Sequence, residues 1–354
     1  MSTDPLSREA IEKIDPSGML GDVLGQVLQL GDALWRVQSA GLRKRDLSGG
    51  LAVCGMGGSA IGGDLAAAIL GDSATRPLRT IRDYALEPWA GADTLVLCSS
   101  YSGTTEETLA CFEAAGIVGA PRVVATTGGA LAEAARAEDV PVIGVPSGMQ
   151  PRAAVLYMTV AALECASLCG AAPGLHTEVD AATKLLEQLV ERWGPDSPAD
   201  SQAKALAGEL QGRLPVIVGS GPTSAPALRW KTQLNENAEL PAYVSELPEG
   251  NHNELCGWQR AGSIAPVSAV LLGDSDQHPL MRRRVQLTCA EIERSGGRVA
   301  RVESEGETRL ERVLSLVLLG DLVSIYLAAL DGVDPTPVAA IERFKAELAG
   351  SRDP

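Results

Sequence analysis

Histidine is scarce in this chain of 354 residues, with three in all: His176, His252 and His278. They are scattered, so no zinc-type ligand spacing is present. The seven cysteines form no Cys-x-x-Cys pair. Cys165 and Cys169 sit at helical spacing and read as buried thiols, and the whole set points to a reduced, cytoplasmic setting. Positive charge is also short, with a formal net charge of −15. Nucleic acid and anionic membrane surfaces both call for a basic face, so neither is an expected partner. The apolar stretches around 153–163 and 313–319 are too short to span a bilayer. The first residues, Met1 to Glu9, lack the apolar centre of a signal peptide.

What is present is a chain that is 45% hydrophobic, enough for a sizeable core and long enough for two domains. Its most informative stretch runs from Leu95 to Leu109. Thr94–Cys98 is a short apolar run that reads as a buried strand. Ser99-Ser100-Tyr101-Ser102-Gly103-Thr104-Thr105 is a hydroxyl-rich loop, and Glu106-Glu107 opens a helical pattern. Such a loop, delivered to a helix N-terminus with free N–H groups and partial positive charge, suits an anion. The alternative is a serine-rich turn with an N-cap.

The rest of the chain alternates strands with helices, which indicates parallel α/β sheets. Helical spacing over about 7–42 is broken by Pro16 and Gly18. Leu51–Cys54 reads as a strand, followed by a glycine loop and a helix over Leu65–Leu70. Further strands are expected at 79–82, 122–126 and 140–145, with a helix over 130–137 and a long one from Arg152 to Leu168. After a Pro- and Asp-rich linker at 194–201 the pattern restarts: strands at 214–219, 267–272 and 298–302, and helices over 224–237, 279–295, 310–330 and 337–348. Two loosely repeated α/β halves are predicted.

Gly55-Met-Gly-Gly-Ser-Ala60 satisfies Gly-x-Gly-x-x-Gly/Ala after a strand, with Asp83 near the place of a ribose-binding acid. A dinucleotide site is one reading. A small phosphorylated ligand shared with the serine loop is the other, favoured by Ser59 and the second glycine pair, Gly62-Gly63. In the second half, Glu236 closes a helical pattern, where the negative helix end should raise its pKa and suit it as a general base; a solvated glutamate is the alternative. His252 lies in a polar loop, Arg152 at a helix start and Lys345 on the terminal helix. Each has a functional reading and an ordinary surface one.

Taken together, Gly55–Asp64, Ser100–Glu107, Pro151-Arg152, Asn235-Glu-Asn237, His252-Asn-Glu254 and Gly332–Thr336 with Lys345 occur in the order of one family. From about residue 46 onward the chain resembles the bifunctional phosphoglucose/phosphomannose isomerases. The resemblance implies two SIS-type, flavodoxin-like subdomains, each a parallel sheet flanked by helices: 46–193 with the phosphate-binding loop and 202–354 with the catalytic Glu and His and the C-terminal helix, after a helical segment 1–45. It implies that Ser100, Ser102 and Thr105 hold the phosphate and that Gly58, Ser59, Arg152 and Thr336 line the sugar site. It assigns Glu236 as the isomerisation base and His252 and Lys345 to ring opening, with the histidine reaching over from the other subunit of a homodimer. No metal and no cofactor is implied. The expected reaction interconverts glucose 6-phosphate or mannose 6-phosphate with fructose 6-phosphate. A SIS-domain regulator that binds a sugar phosphate without turnover is the alternative, and an NAD-dependent oxidoreductase a more distant one. One departure is Thr104, which stands where Asn is common in the family.

Overall fold

The computed structural model describes residues 4–350. Three helices come first: α1 (Arg8–Ile14), α2 (Met19–Leu24) and α3 (Gln26–Ser39). Pro16 and Gly18 separate α1 from α2 as the sequence predicts, and the Asp15 carboxylate accepts hydrogen bonds from the N–H groups of Met19 and Leu20 at 2.9 and 2.7 Å. This caps the start of α2.

The first sheet is built from β1 (Gly50–Cys54), β2 (Leu78–Ile81), β3 (Thr94–Ser99), β4 (Arg122–Thr126) and β5 (Val142–Gly144), with α4 (Gly57–Leu70), α5 (Glu106–Ile117), α6 (Gly129–Ala137) and α7 (Val155–Leu168) between and after them. Its order is β2-β1-β3-β4-β5, all parallel. The helices α8 (His176–Trp193) and α9 (Gln202–Leu210) lead to the second sheet. There β6 (Leu214–Gly219), α10 (Ser224–Asn237), β7 (Tyr243–Glu246), α11 (Leu255–Ala261), β8 (Val267–Gly273), α12 (Pro279–Arg294) and β9 (Arg298–Glu303) give the order β7-β6-β8-β9, again parallel. It repeats the first four strands of the other sheet. The chain ends with α13 (Arg309–Asp331) and α14 (Ala339–Gly350). The fold is α/β, two parallel sheets flanked by helices, and the 2-1-3-4-5 order is the flavodoxin-like one.

Both central strands of the first sheet are buried along their whole length, which is why β1 and β3 read as continuous apolar runs rather than alternating ones. One large apolar core runs through both halves, with α4, α7, α10 and α13 at its centre. Helix α13 corrects one expectation. It is 23 residues long and apolar enough, by length and composition, to cross a membrane, because Gly320-Asp321 interrupts its apolar run without ending the helix. In this fold it is a core helix, with 89% of its most apolar window buried.

The glycine-rich stretch is a second correction. A loop is expected from Gly55 to Asp64, but α4 already begins at Gly57. Glycine is a poor helix former, so tertiary packing decides here. A Cβ on Gly62 would lie 2.6 Å from the main-chain carbon of Met158 in α7, and one on Gly63 2.9 Å from Cβ of Val53 in β1. The glycines let α4 lie directly on its neighbours. Strand β7 and the helices α8, α9 and α11 are elements that periodicity did not disclose.

Candidate active site

In a 2-1-3-4-5 sheet the strand order reverses between β1 and β3, and the crevice beyond their carboxyl ends is where ligands bind. β1 delivers Gly55 and the start of α4 to this crevice; β3 delivers Ser100 to Thr105 and then α5. Ser59, in the first turn of α4, ties the two together. Its Oγ accepts the Tyr101 N–H at 3.1 Å, and its carbonyl accepts the Ser99 hydroxyl at 3.2 Å.

The serine loop is ordered by its own hydroxyls. Ser100 and Thr105 pair through their oxygens at 2.8 Å, and Ser100 Oγ accepts the Gly103 N–H at 3.1 Å. Ser102 pairs with Thr104 at 2.9 Å. Thr104, the departure from the family pattern, thus supplies a hydroxyl that holds Ser102. Gly103 takes φ +68°, and a Cβ there would strike the Gly128 carbonyl, so glycine is required. Thr105 is the N-cap residue of α5, whose first turn carries Glu106 and Glu107. Ser100 and Ser59 are buried, Thr105 is half-buried, and Ser102 and Thr104 are exposed at the mouth of the crevice.

Tyr101 continues from the loop towards the second cluster, its phenol oxygen accepting the Met149 N–H at 2.9 Å. Three residues on, Arg152 sits in a short 3-10 turn, Pro151–Ala154, with only 2% of its surface exposed. Gly58 of α4 lies directly against it: a Cβ there would come within 2.9 Å of Arg152 Cα. The guanidinium has five N–H groups in a rigid fork. Nε donates to Asn237 Oδ1 at 2.6 Å, and Nη2 donates to the carbonyls of Pro335 and Thr336 at 2.7 and 2.9 Å. Nη1 faces Glu236 Oε2 at 3.5 Å. Burial holds the Arg152 pKa below its ordinary value, with Glu236 acting the other way.

Glu236 lies one residue before the end of α10, at the negative pole of that helix, with its side chain 26% exposed. Thr336 is drawn in by Arg152, which its carbonyl receives, and by Asp15, whose Oδ1 lies 3.4 Å from the Thr336 hydroxyl. The structure therefore brings Gly58, Ser59, Ser100, Ser102, Thr105, Arg152, Glu236 and Thr336 into one contiguous network of contacts. His252 and Lys345 are not part of it. His252 ends a short 3-10 turn, Glu249–His252, and is exposed. Lys345 is exposed on α14. Sequence reasoning missed Asn237, although it quoted the Asn-Glu-Asn run, and it missed Asp15, Arg229 and Asp321. The charge of Asp321 in the middle of an apolar helix was the available signal, since such a residue is rarely buried without a partner.

Residues 199–348 match the family model described as the bacterial phospho-glucose isomerase C-terminal SIS domain. The chain is 40% identical over 304 residues to a bifunctional phosphoglucose/phosphomannose isomerase from Caldicellulosiruptor bescii, covering 85% of this chain and 90% of that one. It is 37% identical over 300 residues to the protein of the same name from Aquifex aeolicus, covering 84% and 90%. In fold it is similar to the crystal structure of a hypothetical protein from Thermus thermophilus, with a TM-score of 0.69 at 18% identity over 94% of this chain and 89% of that one. With a serine loop and an arginine–glutamate pair meeting across the crevice of such a fold, the chain belongs to the bifunctional phosphoglucose/phosphomannose isomerase family.

Proposed function

We propose that this protein interconverts glucose 6-phosphate and mannose 6-phosphate with fructose 6-phosphate. The observation that carries the reading is the junction at Gly58-Ser59, which sets an anion-binding loop on one side and the Arg152–Glu236 pair on the other. A sugar phosphate held by its phosphate at Ser100, Ser102, Thr105 and the α5 N-terminus would extend its other end towards Glu236. Glu236 then takes the proton from C2 of the open aldose and returns it at C1 through a cis-enediol. Negative charge that gathers on the enediol oxygens faces the Nη1 end of Arg152, a preorganised cation that also meets Glu236. Thr336 completes the wall beside the sugar.

Ring opening is assigned to His252 and Lys345, and it brings in a second copy of the chain. His252 makes no side-chain hydrogen bond or ion pair with the described residues of its own protomer. On α14, Ile341 and Phe344 remain 41% and 66% exposed on the same helix as Lys345. A homodimer would cover this helix and carry His252 of the partner subunit to the crevice. The division into a segment 1–45, a first domain 46–193 and a second domain 202–354 belongs to the same reading. So does a cytoplasmic location, which the buried free thiols Cys54, Cys98, Cys111, Cys165, Cys169 and Cys289 suit. The test is incubation of metal-stripped protein with fructose 6-phosphate. Glucose 6-phosphate and mannose 6-phosphate should both form. Binding without turnover would mark a regulator, and turnover only with NAD an oxidoreductase.

A further inference from the structure

Helix α13 carries two polar side chains at its fully buried centre, Asp321 and Ser324. Arg229 of α10, 1% exposed, donates from Nε to Asp321 Oδ1 at 2.9 Å and from Nη2 to Oδ2 at 2.7 Å. Burial pushes the Asp321 carboxyl up, and the Arg229 guanidinium opposes that shift. A buried ion pair is weak evidence of stabilisation, because apolar side chains of similar size often serve as well or better. The bonds this pair makes beyond itself are therefore informative.

Arg229 Nη2 also donates to the main-chain carbonyl of Arg152 at 2.9 Å. Gln26, from the N-terminal helices, donates to the same Asp321 Oδ2 at 2.6 Å. A second arm runs from Ser324, whose Oγ accepts Asn237 Nδ2 at 2.9 Å, through Asn237 Oδ1 to Arg152 Nε at 2.6 Å. Asn237 is fully buried. One arm fixes Arg152 by its main chain and the other by its side chain. With Nη2 held by Pro335 and Thr336, the remaining end of the fork, Nη1, is left to meet Glu236 Oε2 at 3.5 Å.

We propose that Asn237 and the Arg229–Asp321 pair are positioning residues for the proton-transfer step, holding the Arg152 guanidinium at the Glu236 carboxylate. Through Gln26 the N-terminal helices take part in the same device. The inference rests on the isomerase reading and makes a separate demand of it. The phosphate loop lies outside the relay, so loss of the relay disturbs the reacting end of the substrate and spares its anchor.

The test is the double variant Arg229→Met/Asp321→Leu, assayed with fructose 6-phosphate and unfolded in urea beside the wild type. The expected result is a folded protein with a cooperative unfolding transition at a midpoint near or below that of the wild type, because Gln26 and the Arg152 carbonyl lose a buried partner, with KM within about threefold and kcat lower by roughly 10- to 100-fold, the order associated with misplacement by a fraction of an ångström to one ångström. Should the double variant fail to fold, Asn237→Leu tests the other arm, with the same split of kcat from KM. Asn237→Asp keeps an acceptor for Arg152 Nε and should recover much of the kcat that Asn237→Leu loses. A folded variant with wild-type kcat overturns the proposal alone. A kcat that falls only in proportion to the unfolded fraction also overturns it, because the relay would then be structural. An inactive wild type overturns the isomerase reading and this proposal with it.

Discussion

Replacing Gly58 by Ala is the smallest change that reaches the site. The added Cβ would lie 2.9 Å from Arg152 Cα and from the Pro151 carbonyl oxygen, and 3.0 Å from Arg152 N. Carbon atoms in good contact stand about 3.5–4.0 Å apart, so α4 and the Arg152 turn must separate by roughly half an ångström or more. Arg152 is clamped to Asn237, Pro335, Thr336 and Arg229, so the strain falls on the packing of α4 against the Arg152 turn. A misplacement of 1 Å can cost about 100-fold in rate, so half of it corresponds to about 10-fold in kcat. Overpacking costs about 1–3 kcal/mol, and alanine recovers up to about 1 kcal/mol over glycine as a helix former. The net destabilisation is then about 0–3 kcal/mol, less than the roughly 5–15 kcal/mol typical of a folded protein, so the variant should remain folded. The assay is initial-rate product analysis from fructose 6-phosphate, with a urea unfolding curve on the same sample. A variant with wild-type kcat and an unchanged midpoint would show that the close approach of Gly58 to Arg152 does not set the geometry of the site.

Three further outcomes are expected. Ser102→Ala with Thr105→Ala should weaken binding of fructose 6-phosphate by about 1.5–3 kcal/mol for each lost bond to a charged group, as read by calorimetry; unchanged affinity would move the phosphate elsewhere. Mixing Glu236→Gln protein with His252→Ala protein should restore part of the activity that each lacks, because a mixed dimer regains one intact shared site; no rescue after demonstrated subunit exchange would remove His252 from a shared site. Burial raises the pKa of Glu164, with His176 opposing at 3.4 Å. Its folded pKa thus lies above the unfolded value, so the folded state binds more protons, and stability is lost as pH rises through the folded pKa. Glu164→Gln should therefore be more stable than the wild type at pH 7 and match it below about pH 4, where the unfolded carboxyl is also protonated; a variant less stable at pH 7 would show that the pairing with His176 outweighs burial.

The strand, loop and helix around Ser99–Thr105 were legible in the sequence because each piece has its own local signal: an apolar run, a cluster of hydroxyls, and acids in a first helical turn. Helix α10 was legible to the residue, since Ser224 opens it and Pro241 bounds it shortly after Asn237. The start of α4 was not, because its glycines argue locally for a loop and are explained only by Met158, Val53 and Arg152, which are distant in sequence. Strand β7 was hidden by its length of four residues and its exposure, which leave no apolar period to read. The role of Thr336 is framed by Asp15, across 321 positions of chain. That partnership, like the one between Asp321 and Gln26, exists only after folding and has no trace in local pattern.

The central claim is that one carboxylate, Glu236, moves the proton for both aldoses. The enediol intermediate is common to both, and rotation about C2–C3 would turn the other face of C2 to the same base. The direct measurement is incubation of fructose 6-phosphate in heavy water with wild-type and Glu236→Gln protein, with deuterium at C2 of each aldose followed by nuclear magnetic resonance. The wild type should yield glucose 6-phosphate and mannose 6-phosphate that both carry solvent deuterium at C2. Glu236→Gln should yield neither aldose while still binding fructose 6-phosphate. A Glu236→Gln protein that still formed labelled mannose 6-phosphate would contradict the account, because a second base would then be at work.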